Sequence, residues 1–229
     1  MNLDIKEHPS ASDIHNLAAY TPQEEFYSAL IHGIGVLLSL AMLSILVVFA
    51  VIYGSTVSVV TSTIFGVSMM TVFLTSTLYH ATKNPATKMK IKRIDHIVIY
   101  YLIAGTYTPF CLVNINGMKG WIIFGIIWAL ALLGTVLKII LKSTKGTKVW
   151  SLGLYLLMGW LVIFTLPEFV SILPSTGFLF VIIGGLFYTV GVVFYVMKKV
   201  RFTHAIWHVF VLGGAIMHFF AVLYSCVLP

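Results

Sequence analysis

Six stretches of this chain contain no Asp, Glu, Lys or Arg: residues 26–82, 96–118, 120–137, 149–167, 169–197 and 202–229. As one helix the first would measure roughly 85 Å, whereas a bilayer core is crossed by about 20 apolar residues. Gly54-Ser55-Thr56 is the point at which it divides in two. The pattern therefore predicts seven helices, near 27–53, 58–81, 94–113, 121–141, 149–166, 177–197 and 204–226. The runs are uniformly apolar rather than alternating, which argues against a membrane β-barrel. With 59% hydrophobic and 9% charged residues, the chain lies far from the roughly 25% charged residues of a soluble domain. The expected fold is all-α and integral to the membrane, a seven-transmembrane-helix bundle over 26–229 preceded by a short tail, 1–25.

With seven crossings, the tail and every second loop share one side of the membrane. That side holds every Lys and Arg except Lys119. The positive-inside rule then places the N-terminus in the cytoplasm, the C-terminus outside, and the chain in the cell membrane as a multi-pass protein. The net charge of +7 is thereby explained by topology. Nucleic acid is not expected as a partner; membrane lipids are. The tail carries Asp4, Glu7, Asp13, Glu24 and Glu25 and no apolar core of its own, so it does not read as a secretory signal.

Ionisable groups inside spans are costly and usually functional. Of eight histidines, six lie in or at the edge of helices: His32, His80, His96, His204, His208 and His218. Orientation gives their depths. His80 closes the second helix, Asp95 and His96 open the third, His204 and His208 open the seventh, and His32 lies just inside the first; all fall near the cytoplasmic face. His204 and His208 are spaced i,i+4, about 6 Å apart on one helical face, which suits a shared metal. His80 supplies a third nitrogen, and zinc in catalytic sites takes three protein ligands and a water. Asp95 is placed to hydrogen-bond that water or act as its base. Ser76, one turn from His80, is placed to steady a carbonyl oxygen.

Plainer readings exist for each. Interfacial histidines are often satisfied by backbone or headgroups, and a helical serine by the carbonyl four residues earlier. His96 lies about 100° around the helix from Asp95 and is expected behind the ligands or facing the loop rather than in the site itself. His218, roughly 15 Å beyond His208, is expected in a helix–helix contact. Pro109 should kink the third helix, and Gly213-Gly214 should let the seventh approach a neighbour closely. Trp121, Trp150 and Tyr224 fit an interfacial belt. Cys111 and Cys226 fall near the external face, where a disulfide is conceivable but two buried thiols are favoured.

Several segments together resemble the hemolysin III group of the progestin and adipoQ receptor (PAQR) family. They are Glu24-Glu25 followed by His32-Gly33, Ser76-Thr77-Leu78-Tyr79-His80, Arg93-Ile94-Asp95-His96, Ala104-Gly105-Thr106-Tyr107-Thr108-Pro109 and His204-Ala205-Ile206-Trp207-His208. The resemblance runs from about Glu24 to the C-terminus, with Ser28 standing where many relatives have Asn. It implies seven helices, a cytoplasmic N-terminus, and zinc (Zn2+) held by His80, His204 and His208, with Asp95 beside the bound water and Ser76 at the serine position. The family is also similar to membrane hydrolases such as alkaline ceramidases. The leading expectation is a zinc-dependent hydrolase of lipid-like amides, its substrate entering from the inner leaflet. The alternatives are a pore-forming hemolysin (cytolysis) and a membrane sensor or receptor with structural zinc. A metal transporter is disfavoured by a cluster lying toward one face, and a retinal pump by the lack of a lysine in the seventh helix.

Overall fold

The computed structural model describes residues 20–141, 144–197 and 200–229. The tail expected over 1–25 lies outside them up to residue 19, as do Lys142, Lys198 and Lys199. Among the described residues every regular element is helical: α1 (Pro22–Tyr53), α2 (Thr56–Ala81), α3 (Pro85–Pro109), α4 (Gly117–Ile140), α5 (Lys145–Trp160), α6 (Leu166–Ile172), α7 (Ser175–Val196) and α8 (Thr203–Val222). A π-helical turn, Phe110–Ile115, prolongs α3, another, Leu223–Val227, prolongs α8, and a 3₁₀ turn, Leu161–Thr165, joins α5 to α6. Seven helical stretches are long and apolar enough to span a membrane, the fifth being Val149–Ile172 across α5 and α6. In hydrocarbon only intrasegment hydrogen bonds satisfy the backbone, so apolar runs of this length become helices.

The long first run divides where expected. Gly54 caps α1, and the Ser55 side chain accepts from the Ser58 N–H at 3.1 Å to start α2. The third helix begins earlier than position 94, at Pro85, with the Asn84 side chain accepting from the Thr87 N–H. Its charged first turns extend beyond the apolar stretch, so an apolarity criterion misses them. Pro109 ends the α-helical register, and the chain continues as a π turn. The fifth span runs past 166 to Ile172 through the 3₁₀ turn.

α1 packs on α2 and α8, α2 also on α3, and α7 on α8. One apolar core joins Leu46, Phe65, Met69, Phe73, Val211 and Phe219; a second joins Tyr100, Tyr107, Ile127, Ala131 and Met158 across α3, α4 and α5. Gly213 and Gly214 let α8 approach α7: a Cβ there would lie 2.7 Å from the Phe187 ring and 2.9 Å from the Tyr188 ring. The Tyr155 hydroxyl donates to the His96 carbonyl at 2.6 Å, and the Tyr107 hydroxyl to that of Gly159 at 3.0 Å, tying α5 to α3. Cys111 and Cys226 are buried free thiols, and Cys226 donates to Asn114 Oδ1 at 2.8 Å. Lys119 pairs with Glu168.

Candidate metal centre

His80 occupies the last turn of α2, and His204 and His208 the first two turns of α8. The start of α8 is fixed by three contacts. The Thr203 hydroxyl donates to the carbonyls of Met197 and Val200, both at 2.9 Å. The Phe202 N–H donates to Glu24 Oε1 at 2.8 Å. Phe202 is left-handed, with φ 64, a conformation that costs a non-glycine residue about 1–2 kcal/mol, so the Glu24 bond holds a strained residue two positions before His204. Glu24 also closes a capping box with Thr21 at the head of α1. The heads of α1 and α8 are thereby brought together.

One ligand atom from each of His80, His204 and His208 lies within 4.8 Å of the others. His80 Nε2 and His208 Nε2 are 3.0 Å apart. Zinc–nitrogen bonds of about 2.0–2.1 Å in a tetrahedron separate ligand nitrogens by roughly 3.3 Å, so small rotamer adjustments close the set. His80 and His208 are each 4% exposed. His204 Nε2 is buried without a hydrogen-bond partner. Two imidazoles in nitrogen–nitrogen contact beside an orphaned nitrogen fit a divalent metal better than a hydrogen-bonded core. Among the described residues no fourth His, Cys, Asp or Glu joins this group.

Asp95 and Ser76 do not join the cluster but line the cavity beside it, about 220 Å³ in volume. Ser76 is 1% exposed. It faces Asp95 without completing a hydrogen bond of ordinary geometry. Its neighbours Thr75 and Thr77 bond back to Thr71 and Phe73 of their own helix; Ser76 does not. His96 lines the same cavity as Asp95 without joining the three-histidine cluster. The cavity is wide enough to be flanked by both, and the His96 Nδ1–H donates to the Lys92 carbonyl at 2.7 Å. The walls are otherwise apolar, with Val72, Ile99, Leu102, Leu186 and Val192 among them. His218 lies deeper, its Nε2 3.4 Å from the Val181 carbonyl on α7, in the helix contact expected for it.

Three further groups enter the site. Glu25 Oε2 lies 2.7 Å from His80 Nδ1 and 3.0 Å from Lys88 Nζ. Tyr20 stacks on His204, with ring centroids 4.4 Å apart; burial, chiefly, and then the nearby Tyr195 and Glu25 push its phenol pKa up. His32, 2% exposed, packs its ring 3.9 Å from that of His208 with both nitrogens unpartnered. His32 carries a positional signal in the sequence, and Glu25 belongs to a motif of the family resemblance, but neither Glu25 nor Lys88 is marked there as a neighbour of His80, because only packing brings them to it.

Residues 20–219 match the family described as "Haemolysin-III related". The chain is 47% identical over 208 residues to the "Hemolysin-3 homolog" of Bacillus subtilis (strain 168), covering 91% of this chain and 97% of that protein. It is 43% identical over 209 residues to "Hemolysin-3" of Bacillus cereus, covering 90% and 93%. The "Monocyte to macrophage differentiation factor" of Homo sapiens is 29% identical over 170 residues, covering 71% and 69%.

Proposed function

This chain belongs to the haemolysin-III related family, a multi-pass membrane protein, and from that membership and the site's geometry we propose that it is a zinc-dependent hydrolase of lipid-like amides, ceramide-like in character, acting at the cytoplasmic face. The observation that carries the reading is a cluster of three imidazoles with no fourth protein ligand among the described residues, beside an apolar cavity lined by Asp95 and by Ser76. Structural zinc sites are closed by four protein ligands, whereas catalytic ones keep a position open. When bound, zinc supplies a Lewis acid that activates water at neutral pH and polarises a carbonyl.

Asp95 takes the proton of the attacking water and returns it to the leaving amine. Ser76, whose hydroxyl faces Asp95 and forms no bond within its own helix, donates to the oxygen on which charge develops. The apolar walls hold the hydrocarbon chain, and Lys88 and Lys92 lie over the ring of Tyr79, next to the ligand His80. Tyr20 covers His204 from the tail side, which favours entry of substrate from the inner leaflet.

The test is zinc content together with hydrolysis of a panel of lipid amides and esters by protein purified in detergent. Retained zinc with every substrate left intact overturns the hydrolase reading. The names of the Bacillus relatives favour a second reading, cytolysis through a pore. The predominantly apolar cavity speaks against it, because ions need a continuous polar path.

A further inference from the structure

A metal-bound histidine usually donates its other ring N–H to a carboxylate or carbonyl, which fixes its tautomer and raises its basicity. His80 has this arrangement. Its Nε2 faces His208 Nε2 at 3.0 Å, and its Nδ1 meets Glu25 Oε2 at 2.7 Å. His208 Nδ1, by contrast, is buried without a partner. The carboxylate comes from a third helix: Glu25 lies in the first turn of α1, whereas the clustered imidazoles lie on α2 and α8. The same oxygen accepts from Lys88 Nζ of α3 at 3.0 Å, and Lys88 in turn reaches the Thr82 carbonyl at 3.3 Å.

We propose that Glu25 is a positioning residue for the metal. It holds the proton on His80 Nδ1 and aims the Nε2 lone pair into the three-histidine cluster, while Lys88 steadies the carboxylate without being needed for binding. The adjacent carboxylates thus divide two tasks, Glu24 setting the start of α8 and Glu25 setting His80. This inference rests on the metal reading given above.

The experiment uses the full chain in detergent, with zinc affinity measured by competition against a chromophoric chelator and the visible spectrum recorded after loading with Co²⁺. Glu25→Gln is expected to weaken zinc binding about 10–100-fold and to alter the Co²⁺ spectrum, while the metal-free variant unfolds like metal-free wild type. Lys88→Met is expected to bind within about threefold of wild type, or tighter. Two results overturn the proposal: Glu25→Gln holding zinc within about threefold of wild type with an unchanged spectrum, or Lys88→Met losing as much as Glu25→Gln, which marks the contact as a mere ion pair. Should Glu25→Gln not fold, Glu25→Asp, which keeps the charge but withdraws the carboxylate from His80 Nδ1, takes its place under the same two criteria. His80→Ala separates the two levels. If wild type and His80→Ala both fail to bind, the metal reading falls and takes this one with it; if only His80→Ala fails while Glu25→Gln binds normally, this inference alone falls.

Discussion

On the proposed metal-site reading, removing one imidazole should abolish most of the stabilisation that added zinc confers, and the size of the effect follows from the ligand count. Zinc sites with four protein ligands bind with about 10–16 kcal/mol, or roughly 3–4 kcal/mol per ligand. His208→Ala takes one of the three nitrogens brought together here and should raise Kd by about 10²–10³. At free zinc near 1,000 times the wild-type Kd, binding stabilises the folded state by about 4.1 kcal/mol. For a chain of this size that shifts Tm by about 8–16 °C. At the same zinc concentration the variant retains about 0.4–1.4 kcal/mol and a shift of about 1–6 °C. The assay is thermal unfolding of chelator-treated protein with and without added zinc, paired with elemental analysis. Comparing each variant with its own metal-free form removes any intrinsic effect of the substitution. His218→Ala, at a histidine outside the cluster, should keep the wild-type shift. A His208→Ala protein with wild-type zinc content and an undiminished shift would refute the reasoning.

Asp95→Asn should retain zinc, because Asp95 is not part of the ligand group, yet lower lipid amide hydrolysis by about 10²–10⁴-fold; equal loss of metal and activity would instead make it a ligand. Gly184→Ala should destabilise the bundle by about 1–3 kcal/mol, since its Cβ would sit 2.5 Å from the His218 ring; denaturant unfolding in detergent measures this, and an unchanged midpoint contradicts the close α7–α8 contact. Liposomes carrying the protein should not leak a trapped dye. Leakage that survives Asp95→Asn and His208→Ala would favour the pore.

Most of the helical plan was legible in the sequence, because apolar run length and backbone satisfaction in hydrocarbon leave few choices. The break at Gly54-Ser55 was legible for the same reason. The start of α3 was not, since Asn84 and Pro85 cap a turn whose residues are charged and therefore resemble a loop. His80, His204 and His208 stood out because buried imidazoles at one depth are rare in a membrane span. The place of His96 on the cavity wall was not legible, since angular separation on α3 does not reveal how wide a cavity the neighbouring helices leave.

Chain order and hydropathy by themselves determined that seven apolar spans form and which ends of them carry the ionisable residues. Which helices become neighbours was decided only by tertiary packing: α1 lies against both α2 and α8, and this sets Glu25 on His80, His32 on His208 and Glu24 on the strained Phe202. The physical reason is that depth is a one-dimensional property, readable from sequence through the cost of burying charge. Lateral arrangement depends on how side-chain shapes interlock between helices far apart in the chain, and no local pattern encodes it.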